Sequence, residues 1–114
     1  MIECVFCRIA QHELDAQIVD EDPDFIAFHD AHPVAPVHLL LIPKRHVASL
    51  AEWTEVEPDL AGRWLLRARD LAARSGLAPS GYRLVINTGE WGGQTVAHLH
   101  LHLLAGRLLK WPPG

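Results

Sequence analysis

The chain has 114 residues, a length that suits one domain able to bury a core without metals or disulfides as its main support. Its net charge is −4, so it lacks the basic surface of a protein that binds duplex nucleic acid. It shows neither a basic-then-apolar leader nor an apolar run of membrane length. We therefore expect one cytoplasmic domain, residues 1–114, with no membrane and no nucleic-acid partner.

The first 43 residues predict one short helix followed by three short strands, over residues 4–12, 18–20, 25–29 and 38–42. In the helix, Val5, Phe6 and Ile9 are expected to face inward. The segment Glu21-Asp22-Pro23-Asp24 is rich in turn-forming residues and separates the first two strands. The third strand is apolar throughout, which indicates a buried strand, and Pro43 ends it.

The second half predicts a long amphipathic helix over residues 55–74. Apolar side chains recur there at helical spacing, at Val56, Leu60, Trp64, Leu65, Leu71 and Ala72. Thr54 with Glu57 forms a capping box, and Glu57 before Pro58 is an equally good start. Ser75-Gly76 is expected to end the helix with a left-handed cap. A strand at 82–87 and a glycine turn at 88–93 follow, and together the elements indicate an α+β fold with a mainly antiparallel sheet.

Residues 97–104 alternate histidine with leucine, which is the period of a strand with one polar and one apolar face. His98, His100 and His102 would then share a face, with neighbours roughly 7 Å apart and the outer pair about 13 Å apart. Two of these imidazoles can share one metal ion, but a straight strand cannot bring all three to it. The histidines are therefore predicted to serve at least two purposes.

The loop before the histidines carries Gly89, Gly92 and Gly93 and ends at the hydroxyl of Thr95. Consecutive glycines allow backbone N–H groups to converge on an anion, although such loops are also common as plain turns. Beside aligned imidazoles, the loop is predicted to hold a phosphate. A neutral imidazole can attack phosphorus and form a phosphoramidate that water hydrolyses, so the pattern indicates chemistry at phosphorus.

Cys4 and Cys7 begin the first predicted helix and have three interpretations: a pair of buried thiols, a redox pair or half of a zinc site. No strand precedes them, which disfavours the redox interpretation. A zinc site needs two further ligands, for which His46 and His98 are the candidates. The remaining histidines are expected to be solvated or locally hydrogen-bonded, namely His12, His29 and His32.

These residues resemble the histidine-triad (HIT) superfamily, and within it the Hint branch of purine-nucleotide-binding phosphoramidases. The most specific match is His98-x-His100-x-His102 with its lead-in Gly92-Gly93-Gln94-Thr95-Val96. The terminal Trp111-Pro112-Pro113-Gly114 separates Hint from the fragile-histidine-triad branch. Other matching segments extend over nearly the whole chain: Phe28-His29-Asp30, Ala35-Pro36-Val37-His38, Ile42-Pro43-Lys44-Arg45-His46 and Asn87.

The resemblance implies a five-stranded antiparallel sheet with one long and one short helix. Two copies are expected to pair into a homodimer with a ten-stranded sheet. The implied activity is hydrolysis of purine nucleoside 5′-phosphoramidates and of acyl- or aminoacyl-adenylates, through a covalent nucleotidyl-histidine intermediate that releases AMP. Purine nucleotides are therefore the expected ligands, and no catalytic metal is expected.

The resemblance also assigns roles to individual residues. His100 is implied as the nucleophile, and His102 and His38 hold its surroundings. Thr95 and Asn87 are expected to contact the phosphate and leaving group, with Gly93 and Gln94 alongside. Asp30 is expected to accept from a ribose hydroxyl, and the walls of the base pocket are expected to be Phe6, Ile9, Leu14 and Phe28.

Two further assignments concern the ends of the chain. Trp111 is expected to reach toward the active site of a partner subunit. Family members with Cys-x-x-Cys near the start resemble zinc binders, and the corresponding ligands here are Cys4, Cys7, His46 and His98. Two thiolates and two imidazoles make a closed set, so the implied Zn²⁺ is structural. Thr95 stands where the family usually has serine.

Three alternatives to a Hint-type hydrolase remain. A nucleotide-binding interaction module with little turnover would have no need of the intact His38, His100 and His102. A dinucleoside polyphosphate hydrolase or nucleotidyl transferase uses the same triad, but the terminal Trp-Pro-Pro-Gly argues against it. A metallohydrolase with zinc on His98 and His100 lacks a nearby carboxylate to complete an open catalytic site.

Overall fold

The computed structural model describes residues 4–54 and 58–114. In chain order the elements are α1 Val5–Ala10, β1 Ile18–Glu21, β2 Phe25–His29, β3 Val37–Pro43, a 3-10 turn Leu50–Glu52, α2 Pro58–Arg74, β4 Arg83–Ile86 and β5 Leu101–Ala105. All neighbouring strands are antiparallel, in the order β1-β2-β3-β5-β4. This confirms the predicted α+β fold with a five-stranded antiparallel sheet, one long helix and one short helix.

The histidine strand is the largest difference from prediction. A strand over residues 97–104 is wrong for its first half, because β5 begins only at Leu101. Residues 96–98 form a bend instead, and the N–H of Leu99 donates to the Val47 carbonyl at 2.7 Å. Only His102 of the three alternating histidines therefore lies within the sheet.

Each face of the sheet carries its own core. On one face α2 packs through Leu60, Trp64 and Leu71, and the Trp64 Nε1–H donates to the Leu41 carbonyl at 3.1 Å. On the other face α1 packs Phe6 and Ile9 against a second cluster, which includes Ile26, Phe28, Leu40 and Ile42. The α1 face is the one that carries the cavity described below.

Two residues predicted to face the core do not. Val5 is 42 % exposed and Leu65 is 46 % exposed, because each lies at the margin of its helix's apolar stripe. The predicted cap of α2 is confirmed, since Gly76 follows the helix with φ of +74°. Val56 and the Thr54–Glu57 capping box depend on residues 55–57, which lie outside the described residues.

Helix α2 is also tied to the edge strand β1 through a carboxylate. Arg67 donates to both oxygens of Asp20, at 2.7 and 2.9 Å. Nη2 of Arg74 lies 3.0 Å from Oδ2 of the same carboxylate. Burial acts to raise the pKa of Asp20, but the hydrogen bonds from the two arginines outweigh it and lower that pKa.

No helix in the described part of the chain is long and apolar enough to cross a membrane.

Candidate active site and metal site

The α1 face of the sheet carries a cavity of about 1310 Å³. Most of the predicted site residues line it, namely Phe6, Ile9, Leu14, Phe28, Asp30, His38, Asn87, Thr95 and His102. The end near α1 is apolar. There the rings of Phe6 and Phe28 pack edge to face, with their centroids 5.5 Å apart. The part beside His102, Asn87 and Thr95 is polar. Such a cavity suits a ligand that joins an apolar ring system to an anionic group.

His38 and His102 form a hydrogen-bonded pair whose proton positions follow from the backbone. The Val34 N–H donates to Nδ1 of His38 at 3.1 Å, so that nitrogen carries a lone pair. Nε2 of His38 then carries the proton and donates to Nδ1 of His102 at 2.9 Å. His102 keeps its own proton on Nε2, a buried atom without a hydrogen-bond partner among the described residues. The site thus contains an unpaired N–H donor on a residue that lines the cavity.

Burial keeps both imidazoles uncharged. Desolvation lowers the pKa of His102 to about 4; the neighbouring His100 and His38 act in the same direction and Asp30 opposes them. Burial also lowers the pKa of His38, against the opposing effect of Asp30, whose Oδ2 lies 3.4 Å from Nε2. Both rings are therefore neutral at neutral pH, in the tautomers described above.

We expect acid to destabilise the fold through His102. Its pKa falls from 6.5 to about 4 on folding, so between those values the unfolded chain binds more protons than the folded one. The free energy of unfolding should therefore decrease as the pH is lowered through this range. Urea denaturation measures this free energy at each pH. Between about pH 7 and pH 5, the free energy of unfolding should decrease less for His102→Asn than for wild type. An equal change in both proteins would contradict this.

His100 lies beside this pair, just before β5 begins. It is 5 % exposed. The centroid of its ring lies 5.2 Å from that of Phe6 and 4.9 Å from that of His102. Its Nδ1 donates to the His98 carbonyl at 2.7 Å, which leaves the lone pair on Nε2. His100 is not itself among the residues that line the cavity, but Phe6 and His102 are. The backbone thus supplies the acceptor that holds one tautomer of this ring.

His98 belongs to a different cluster, because the bend at residues 96–98 turns it away from the cavity. Its Nδ1 lies 3.3 Å from Sγ of Cys4 and 3.5 Å from Sγ of Cys7. Nδ1 of His46 lies 3.2 Å from Sγ of Cys7. All four ligand atoms lie within 4.8 Å of one another. Neighbouring ligands of a tetrahedral Zn²⁺ are roughly 3.3–3.8 Å apart, so the four atoms fit such a site.

The surroundings of the cluster also fit a cation. Nε2 of His98 donates to the Pro43 carbonyl at 2.8 Å, so the lone pair lies on Nδ1, which faces the cysteines. The Cys7 N–H donates to Sγ of Cys4 at 3.3 Å. Burial and the neighbouring Cys4 raise the pKa of Cys7 to about 11, and a bound cation would reverse this by stabilising both thiolates.

The last N–H groups of the glycine loop are used within the loop itself. The N–H groups of Gly93 and Gln94 donate to carbonyls within the loop, both at 3.0 Å. A Cβ at Gly92 would collide with the Thr88 carbonyl, and Gly93 has φ of +82°. Both glycines are therefore required by the turn. The prediction that their N–H groups converge on an anion is wrong for Gly93, whereas Thr95 does line the cavity.

The side chain of Gln94 is used to hold this loop in place. Its amide donates to the carbonyls of Ala48 at 2.7 Å and Val96 at 2.9 Å, and its oxygen accepts from the Gly89 N–H at 3.0 Å. Gln94 and Gly93 line a separate, smaller cavity of about 640 Å³. The structure thus does not bring these two predicted substrate-binding residues to the large cavity.

The C-terminal segment and β4 contribute to the cavity in ways not predicted. Trp111 is 81 % exposed and does not line it, whereas Pro113 and Gly114 do. Arg83 also lines it, and strand alternation with Asn87 was the signal that could have indicated this. The role of Val34 left no signal, because the donor to His38 is a backbone N–H that any residue except proline has.

Comparisons with known proteins identify the family of this chain. The family model described as HIT domain matches residues 11–109. An uncharacterised HIT-like protein of Synechococcus elongatus is 52 % identical over 112 residues, covering 98 % of this chain and 97 % of that protein. This chain therefore belongs to the HIT family.

Solved structures show the same likeness. A HIT family hydrolase from Legionella pneumophila has a TM-score of 0.95 and 49 % identity, covering 98 % of this chain and 100 % of that one. A histidine triad nucleotide-binding protein from Candida albicans has a TM-score of 0.82 and 29 % identity, covering 96 % of this chain and 83 % of that one.

Proposed function

We propose that this protein is a nucleotide-binding hydrolase of purine nucleoside 5′-phosphoramidates and acyl- or aminoacyl-adenylates. The observation that carries the proposal is the pairing of His100, whose Nε2 holds a lone pair, with His102, whose buried Nε2–H has no partner among the described residues. Nucleotidyl transfer to histidine requires such a nucleophile and such a donor to a phosphate oxygen. The names of the Legionella hydrolase and the Candida nucleotide-binding protein support the same activity and ligand.

The nucleotide is proposed to bind in one direction across the sheet. The purine base lies at the apolar end, between Phe6, Ile9, Leu14 and Phe28. Oδ1 of Asp30 already accepts from the His32 N–H at 2.7 Å, so Oδ2 is the oxygen available to a ribose hydroxyl. The α-phosphate then reaches β5, beside His102, Asn87 and Thr95.

The reaction proceeds in two displacements at the α-phosphorus. Nε2 of His100 attacks, a bond from phosphorus to this nitrogen forms, and the bond to the leaving group breaks. An amine departs with a proton taken from solvent. Water then attacks the same phosphorus and breaks its bond to His100, which releases AMP, returns a proton and restores the neutral ring. The N–H of His102 and the hydroxyl of Thr95 stabilise charge on the phosphate oxygens.

Release of AMP from a panel of adenosine and guanosine phosphoramidates, compared with diadenosine polyphosphates, tests this function. We expect turnover of the phosphoramidates. Faster cleavage of the diadenosine polyphosphates would instead favour the dinucleoside polyphosphate hydrolase. Tight AMP binding without turnover of any substrate would favour an interaction module. The geometry does not favour a metallohydrolase, because Nδ1 of His98 faces the cysteines while Nδ1 of His100 is bound to a carbonyl.

The cysteine cluster is proposed to bind a structural Zn²⁺. Cys4 precedes α1, His46 follows β3 and His98 precedes β5, so the ion would connect three segments that are distant in the chain. With four protein ligands the site is closed and has no position for substrate. When bound, zinc supplies stability rather than chemistry to this fold.

A second copy of the chain is the partner proposed for the β4 edge of the sheet. β4 is an edge strand, and its Leu84 is 36 % exposed. Leu65 and Leu66 of α2 are also about half exposed. A sheet that continues through β4 into a second copy would pair its free backbone groups and give ten strands. Trp111, which is exposed, would then be available to the neighbouring cavity.

Leu84→Arg should convert the proposed dimer into a monomer, because the charged side chain would have to be buried where the two sheets meet. Light scattering at micromolar concentration provides the measurement. Val19→Arg is the matched control, since Val19 is 41 % exposed on β1 at the opposite edge of the sheet, and this variant should remain dimeric. A monomeric wild-type protein would contradict the assembly.

A further inference from the structure

The cavity continues over β4, past the position proposed for the phosphate. Arg83 lines this part and lies on the same face of the strand as Val85 and Asn87. In the sheet, Val85 is paired with His102 and Arg83 with Leu104, so Arg83 lies one same-face position beyond His102. Of the described residues that line the cavity, Arg83 is the only lysine or arginine.

The guanidinium of Arg83 is held by the C-terminal segment. Its Nη2 donates to the carbonyls of Leu109 at 3.1 Å and Lys110 at 2.9 Å, which uses both hydrogens of that nitrogen. The three remaining hydrogens, on Nε and Nη1, donate to no described residue, and Arg83 forms no ion pair within the described part of the chain. A positioned cation with unused donors therefore faces the cavity.

The surroundings of Arg83 indicate which anion it would bind. Its same-face neighbour on β4 and its pairing partner on β5 are both apolar lining residues, namely Val85 and Leu104. One cation in apolar surroundings suits a single carboxylate, whereas a polyphosphate chain carries more charge than one guanidinium can neutralise. Same-face positions along a strand are roughly 7 Å apart, a gap that an arginine side chain and a carboxylate near the scissile bond can span.

We propose that this end of the cavity is a leaving-group subsite, and that Arg83 selects leaving groups carrying a carboxylate close to the scissile bond. An amino acid joined to phosphorus through its α-amine has this chemistry. The inference rests on the proposed function, because it takes His102 as the residue that marks the α-phosphate. Arg83 is then a specificity residue, and the C-terminal segment acts by holding its guanidinium.

Two adenosine 5′-phosphoramidates that differ in one group test the subsite: alanine and alaninamide, each joined through the amine. For wild type, kcat/KM should be about tenfold higher or more for the carboxylate, as expected of one charge-assisted hydrogen bond. Arg83→Met should reduce this ratio to about one, and Arg83→Lys should retain part of it. Arg69→Met is the matched control, since Arg69 is an exposed arginine of α2 that bonds to the adjacent Asp70.

The outcomes separate the two proposals. If wild type hydrolyses both compounds equally, or if Arg83→Met keeps the wild-type ratio, the subsite is contradicted while the proposed hydrolase stands. If diadenosine triphosphate is the better substrate and Arg83→Met impairs that reaction instead, Arg83 binds phosphate and the carboxylate assignment is overturned. If no phosphoramidate is hydrolysed, both proposals fail. The wild-type ratio requires no variant, so a poorly folding Arg83→Met protein does not prevent the test.

Discussion

Replacing His100 with asparagine should lower the rate of AMP release by several orders of magnitude and leave AMP binding nearly intact. The loss follows from chemistry, because an amide side chain has no lone pair that can form the nucleotidyl intermediate. Binding should survive because the proposed base and ribose contacts, which line the cavity, are left unchanged. Steady-state turnover and an AMP dissociation constant from calorimetry separate the two effects.

A rapid-quench experiment examines the same residue directly. Wild type should accumulate an acid-labile nucleotidyl-enzyme, and His100→Asn should not. His12→Asn is a suitable control, because His12 is exposed, bonds to Glu21 at 2.8 Å outside the cavity and has φ of +60°, which asparagine tolerates. Wild-type turnover in the His100 variant would rule out covalent catalysis by this residue. So would the absence of any acid-labile intermediate in wild type.

Replacing Cys4 and Cys7 together with serine should remove about one zinc ion per subunit and lower the melting temperature by on the order of 10 °C or more. The effect should be large because the proposed ligands connect the start of α1 to segments beside β3 and β5. α1 also carries Phe6 and Ile9, so the loss of zinc should weaken AMP binding as well. Elemental analysis and thermal unfolding provide the measurements.

A chelator provides the control for the loss of the thiols themselves. Wild type stripped of metal should melt at a temperature close to that of the double variant. Adding Zn²⁺ should restore the melting temperature of the stripped wild type but leave that of the double variant unchanged. His98→Asn should show the same loss of stability. Protein purified without chelator and found to contain no metal would show that Cys4 and Cys7 are ordinary free thiols.

The parts of the fold that depend on neighbouring residues were predictable from the sequence. The turn before β2 is closed by Asp22, whose Oδ1 accepts from the N–H groups of Asp24 and Phe25, both at 2.7 Å. Gly76 ends α2 because it readily adopts a left-handed conformation. The helical period likewise placed Phe6 and Ile9 in the interior. Each of these features involves residues within a few positions of one another.

The division of the three alternating histidines was decided by tertiary structure. Their alternation predicts one strand face, yet only His102 lies in β5. His98 instead meets Cys4, which is 94 positions away in the chain, and the bend that allows this removes His100 from the sheet. The same applies to Gln94, whose amide reaches a carbonyl 46 positions away.

Proton positions depend on such contacts even more directly. His38 holds its proton on Nε2 because the Val34 backbone donates to its Nδ1, and His102 therefore holds its proton on Nε2 as well. Nothing in the identity of a valine predicts this. A periodic pattern shows which side of a strand a residue favours, because that preference is local. The partner of a buried polar atom belongs to whichever segment folding brings beside it.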